Sequence, residues 1–207
     1  MADKYTSQVT SLLKKIDAAL AKNAGADLRK FARSFYEKMP VIELAEITPK
    51  DAVAVAQEAY KYFAQRKLHQ VKITITPQGK GGGFLVCLLN DDMPFLMDSI
   101  TAELGRLGIF PRRVFHPILP VNRDGKGKYL SVGAGRAGAG VLESYIRMEL
   151  SGLPEGVTPK KLQDRLESVL KVVRQVVKDW QPMMQRARKT ITALAKEKNG
   201  NRDEMKE

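Results

Sequence analysis

The chain has 207 residues, 43% of them apolar, and a formal net charge of +12. That length suits one domain, or one domain with appendages, and the apolar content is enough for a packed core. It excludes several classes. Runs such as Phe84 to Leu89 are far too short to span a bilayer, which takes roughly 20 residues. The single cysteine, Cys87, rules out an internal disulfide and fits a reducing, cytoplasmic setting. With only His69 and His116, no Cys/His metal cluster can be built. The start, Met1-Ala2-Asp3-Lys4, has no apolar region of the kind a secretory signal needs.

The first third of the chain reads as helical. Val9, Leu12, Leu13, Ile16 and Leu20 fall at helical spacing, and Leu28, Phe31, Ala32 and Phe35 suggest a second helix. Thr48-Pro49-Lys50-Asp51 is a helix start: a capping threonine, proline at the first helical position, and an acid near the positive end of the dipole. This helix should run to about Lys67.

The texture then changes. Lys72 to Thr76 alternates and is β-branched, which predicts a half-buried strand; Pro77 to Gly83 is a loop, and Phe84 to Leu89 a buried strand. Pro94 to Leu107 is a predicted helix ended by Gly108. Val114 to Val121 is extended, with Pro117 and Pro120 pointing to an edge or bulge. Asn122-Arg123-Asp124-Gly125 turns the chain, and Tyr129 to Val132 can return as a strand. Val141 to Leu150 fits a strand or a helix. Thr158-Pro159 caps a long helix with an apolar stripe from Leu162 to Trp180. Pro182 kinks or ends it, a basic helical tail follows, and Asn199 to Glu207 is expected to be disordered. The boundaries expected are 1–68 for the helical region, 69–182 for an α+β domain and 183–207 for the tail.

Charge is uneven. Residues 1–110 carry +3 and residues 111–207 carry +9. A basic half can attract nucleic acid or anionic lipid, form a solvated face, or meet an acidic neighbour. No aromatic residues are interleaved as base-stacking platforms, so a solvated face is favoured over nucleic-acid binding.

Three features could carry chemistry. Gly133-Ala134-Gly135-Arg136-Ala137-Gly138 matches the dinucleotide spacing, but Glu155 lies in a Pro/Gly turn and not at the end of a following strand, so a surface loop is the expectation. Asp91, Asp92 and Asp98 could act as paired carboxylates only with a partner base, and His116 is the one nearby candidate. Helix capping by Asp92 or its neighbour is the simpler reading, and ligand binding at the helix N-terminus stays open.

Several blocks together resemble one family. They are Phe35-Tyr36 with Leu44 and Thr48 to Asp51; the run Asn90-Asp91-Asp92-Met93-Pro94-Phe95-Leu96-Met97-Asp98-Ser99; His116-Pro117-Ile118 with Arg123-Asp124-Gly125; Glu143-Ser144; and Val169 to Trp180. In order and spacing they are similar to the N-terminal region of the large bacterial NAD-dependent glutamate dehydrogenases, and to its first ACT-like domain. The resemblance implies an α+β fold: N-terminal helices, a small antiparallel βαββαβ-type (ferredoxin-like) sheet with helices on one face, and a long C-terminal helix. Under it Glu143 to Leu150 becomes a strand. It also implies a regulatory or assembly module with no catalytic, cofactor-binding or metal-binding residues of its own. NAD and glutamate would be handled in a downstream catalytic region, and the partners would be that region and other subunits, with no membrane.

ACT domains often bind an amino acid at the first strand–helix loop. The candidate effector turn here is Asn90, Asp91, Asp92, Met93, Pro94, Phe95, Asp98 and Ser99. Pro94-Phe95 stands where such sites usually carry Pro-Gly, so a phenyl ring would fill the ligand's room. The final strand of the fold is also missing, and Lys72 to Thr76 is expected to take its edge. Both departures favour an assembly role. The alternatives are a free-standing ACT-like amino-acid sensor and, from another class, a basic nucleic-acid-binding protein.

Overall fold

The computed structural model describes residues 2–21, 25–37, 39, 44, 47–79, 83–133 and 140–204. Helices α1 (Ala2–Ala21), α2 (Ala26–Glu37) and α3 (Pro49–Phe63) come first. Strand β1 (Lys72–Gln78), strand β2 (Gly83–Asp91) and helix α4 (Leu96–Arg106) follow. Then come β3 (Pro111–Phe115), β4 (Ile118–Arg123), β5 (Tyr129–Val132), β6 (Val141–Leu150) and α5 (Pro159–Glu204).

Local chemistry sets the element ends. Thr48 is extended and its Oγ1 accepts the Asp51 amide at 3.2 Å, so α3 starts on a side-chain cap with Pro49 behind it. Gly108 takes φ 72° after α4, and the Ile109 amide bonds back to Leu104 O at 2.9 Å. Thr158 caps α5 through Oγ1 and the Lys161 amide at 3.1 Å. Pro182 lies inside α5 and does not end it; the helix continues through Asn199, where the sequence suggests disorder, to Glu204. The residues of the glycine-rich loop from Ala134 to Ala139 lie outside the described residues.

All strand pairings are antiparallel, in the order β1-β2-β6-β4-β5. β3 joins the same edge of β6 as β4, opposite Leu150 to Arg147, while β4 lies opposite Ser144 to Val141. The predicted extended run Val114 to Val121 is thus two strands. The break falls at His116-Pro117, because Pro117 has no N–H for the ladder; its carbonyl instead accepts the Tyr145 amide at 3.0 Å. β1 pairs with β2 from Lys72↔Leu89 to Gln78↔Gly83, so a strand from before the β-α-β-β-α unit occupies the edge that the last strand of a βαββαβ sheet takes.

β2 is buried on both sides, which is why it reads as one unbroken apolar run. Leu85, Cys87 and Leu89 face the N-terminal helices, packing into one core with Ile16, Leu20, Phe31, Phe35, Phe63 and Tyr145. Val86 and Leu88 face α4 and α5, in a second core with Ile100, Leu104, Ile146, Met148, Leu162 and Leu166. The α4–α5 pair lies on one face of the sheet, as the ferredoxin-like pattern requires, and α1–α3 cover the other. Edge-to-face rings tie that layer together, with Phe31 5.1 Å from Phe63 and 5.3 Å from Tyr60 between centroids. Cys87 is a core residue: burial pushes its thiol up to about 11, and its Sγ accepts the Tyr145 hydroxyl at 3.3 Å.

Because β2 serves two cores, a cavity there is felt on both sides. Leu88→Ala is expected to cost about 3 kcal/mol, whereas Leu130→Ala on the exposed side of β5 should stay within about 0.5 kcal/mol. Urea unfolding followed by circular dichroism measures both.

A candidate functional site where the central strands end

The register places Asp91 at the end of β2 directly opposite Glu143 on β6, and Asn90 opposite Ser144. Two carboxylates facing each other in a sheet repel. Arg66, three residues beyond α3, resolves the conflict: its Nη2 donates to Asp91 Oδ1 and to Glu143 Oε1, each at 2.7 Å. The Arg66 and Glu143 side chains are each only 1% exposed.

Further basic side chains complete the cluster. Arg123, at the end of β4, grips Glu143 with two bonds, Nε to Oε1 at 2.7 Å and Nη2 to Oε2 at 2.8 Å. Its Nη1 also donates to the carbonyls of Phe63 and Gly127. Arg174 reaches from α5, donating Nη1 to Asp91 Oδ2 at 2.7 Å and Nη2 to Asn90 Oδ1. His69 Nδ1 lies 2.8 Å from Asp91 Oδ2, on a residue held at φ 62°. Burial works to raise the Asp91 carboxyl, but Arg174, Arg66 and His69 outweigh it and hold the group well below the usual carboxylate range.

A second small network lies beside the first. Ser144 Oγ donates to Asp92 Oδ1 at 2.6 Å, and His116 Nε2 lies 3.1 Å from the same hydroxyl. Burial lowers His116 while Asp92 pulls the other way, and the net shift is downward. The order is Asp–Ser–His. The serine proton goes to the carboxylate and not to the imidazole, and Ser144 is fully buried, so the hydroxyl is not prepared as a nucleophile. Asp92 therefore does not cap α4. The N-cap is Phe95, which makes no side-chain cap bond, because Asp92 is committed to Ser144 and lies too early in the turn.

The predicted effector turn is split by the structure. Asn90 and Asp91 are buried in the ion network, Asp92 is half-buried on Ser144, and Met93 packs toward the α4–α5 core. Pro94, Phe95 and Asp98 are exposed, and Ser99 is half-buried on α4. Phe95 adopts φ 68°, the left-handed conformation that the more usual glycine would take, and its ring is 52% exposed instead of filling the space beside the turn. Arg66, His69 and Arg174 are the members that sequence reasoning did not assign. Their Asp91 contacts span 25, 22 and 83 residues, so no local spacing announces them.

Two hollows flank the cluster. One, of about 470 Å³, is lined by Lys67, Asn122, Arg123, Lys126 and Glu143 among others. The other, of about 460 Å³, lies between β1, β2 and α5, with His69, Asn90, Glu167, Lys171 and Arg174 on its walls. Asn90 is 1% exposed; its Oδ1 holds Arg174 while its Nδ2 has no partner. Among the described residues no group of three His, Cys, Asp or Glu could hold a metal ion, and no helix is long and apolar enough to cross a membrane.

The network makes two predictions. Asp91's folded pKa lies below its unfolded value of about 3.9. Its contribution is therefore complete above that pH and is lost as pH falls below it. The urea midpoint should drop steeply below pH about 4, and Asp91→Asn should flatten that acid limb. Arg66→Met should cost about 3–5 kcal/mol by stranding two buried carboxylates.

A third prediction concerns Gly127, at φ 84°. A Cβ there would lie 2.4 Å from Arg66 O, and the glycine's own carbonyl accepts the Arg66 amide. Gly127→Ala should cost about 2 kcal/mol or more, while Gly125→Ala, with nothing within 4 Å, should stay within about 0.5 kcal/mol. Thermal melts of the two variants give the comparison.

The sequence of the chain matches known proteins. The family model for the glutamate dehydrogenase ACT1 domain covers residues 31–166, from α2 to the first turns of α5. The chain is 26% identical over 191 residues to the NAD-specific glutamate dehydrogenase of Halomonas elongata, covering 88% of this chain and 12% of that protein. It is 27% identical over 196 residues to the NAD-specific glutamate dehydrogenase of Pseudomonas aeruginosa, covering 89% and 12%. It thus spans about 12% of the length of these curated relatives. With the family model spanning most of its length, the chain belongs to the glutamate dehydrogenase ACT1 domain family.

Proposed function

We propose that this chain is an N-terminal regulatory and assembly module of an NAD-dependent glutamate dehydrogenase in the cytoplasm. The parent enzyme would convert L-glutamate and NAD to 2-oxoglutarate, ammonia and NADH. Both NAD and the chemistry would reside in a downstream region of the same multi-subunit enzyme. The observation that carries this reading is the state of the carboxylates in the cluster. Asp91 and Glu143 are each held by two arginines. A general base needs a free lone pair and a pKa near the working pH. Asp91 fits neither need well: both of its oxygens are already engaged by basic side chains, and its carboxyl is held low.

A second reading, of effector binding, is favoured by Asn90. A buried amide N–H without an acceptor costs free energy. In the hollow it shares with Lys171, Arg174 and Glu167, a small zwitterion could supply that acceptor and meet charges of both signs. This moves the effector site of the Asn90–Ser99 turn toward its buried end and away from Phe95.

Glutamate and NAD added to the isolated chain should give no NADH absorbance; NADH formation would overturn the module reading. Calorimetric titration with a panel of amino acids tests the effector separately. Binding to the chain that Asn90→Leu abolishes is expected, and no heat from any of them removes the sensor.

A further inference from the structure

Helix α5 has 46 residues, about 69 Å at 1.5 Å per residue, and among its described residues the buried side chains all lie in its first half. Leu162, Leu166, Leu170 and Val173 are buried against the sheet and α4. A different stripe faces solvent: Val172, Val176, Trp180, Met183, Ile191 and Leu194 are 48 to 66% exposed. With exposed Ala187 they are spaced 4, 4, 3, 4, 4, 3, which is an 11-residue repeat run twice. At 3.67 residues per turn such a stripe stays on one side of a nearly straight helix. It is therefore a continuous seam and not scattered surface apolar residues.

The seam calls for an occupant. An isolated helical extension is marginal in water, and Pro182 inside this one removes a backbone hydrogen bond and weakens it further. By the same spacing Pro182 falls on the side away from the seam, so it does not obstruct docking.

We propose that the occupant is a second copy of the same helix, antiparallel, with the two-fold axis near Met183. The seam is its own complement in that register. Val172 lies opposite Leu194 and Met183 opposite Met183, while Val176 comes within one residue of Ile191 and the largest side chain, Trp180, within one residue of the smallest, Ala187. Large against small is how facing layers interdigitate. Asp179, one residue from the seam, comes within one residue of Arg186 of the other copy on the same flank, so these two charges attract. The seam also continues onto the domain: a groove of about 560 Å³ between α4 and α5, with Ser99, Arg165, Val169 and Val172 on its walls, would receive the last turns of the partner helix. The pairing depends on neither an effector nor the parent enzyme's chemistry.

Sedimentation equilibrium of the full 207-residue chain tests this. A dimer is expected, with its dissociation constant raised roughly tenfold or more, some 1.4 kcal/mol, by Val176→Glu or Ile191→Glu. Both side chains are exposed in the single chain, so the variants should keep the wild-type circular dichroism melt of the domain. Orientation is read by oxidising a mixture of Val172→Cys and Leu194→Cys chains. Cross-links between unlike chains are expected; links only between like chains would mean a parallel pair and overturn the register. A monomer at high concentration, or a dimer indifferent to both glutamate substitutions, would overturn the proposal.

Discussion

One guanidinium sits between two carboxylates that the sheet forces face to face, and the rest of the molecule is arranged around it. Asp91 and Glu143 are register partners on β2 and β6, and Arg66 bonds both. Without that cation the register would place like charges in contact, in a region nearly closed to water. With it, a one-residue slip of β2 on β6 becomes costly, because the slip would separate the carboxylates from their shared partner. Arg66 follows α3, Arg123 ends β4 and Arg174 lies on α5, so the same point joins the N-terminal layer, the sheet and the long helix.

The ion network is better understood as an organiser than as a source of net stability. Buried ion pairs often do no more than offset their own desolvation, yet removing one member is severe. The bulk of the folding free energy lies in the two apolar cores, which meet on opposite faces of β2. The network decides how those cores are registered. Gly127 shows how tightly: the β4–β5 turn approaches the Arg66 backbone so closely that no side chain fits between them.

This arrangement separates the molecule into parts with different roles. The centre is saturated with hydrogen bonds, apart from a few buried nitrogens such as Asn90 Nδ2. The hollow beside Asn90 opens where Arg174 of α5 meets the end of β2.

Much of the fold was legible in the residues. Alternation marked β1, the unbroken apolar run marked β2, and Thr48-Pro49 and Thr158-Pro159 marked two helix starts. Each of these signals is local, set by side chains within one turn or one strand. The run Asn90 to Ser99 was also recognisable as special, since polar residues that end a buried strand need partners. What its members do was not legible. Asp92 reads as a helix cap but bonds Ser144, 52 residues away. Asp91 takes partners from before β1 and from α5 that carry no local mark. The division of the α5 stripe into a buried and an exposed half was equally hidden, because periodicity gives an apolar face without saying what covers it. The sequence by itself determined the element types and the need for an α+β core. Only the tertiary structure decided which charges meet, because partners tens of residues apart are brought together by strand register and helix packing.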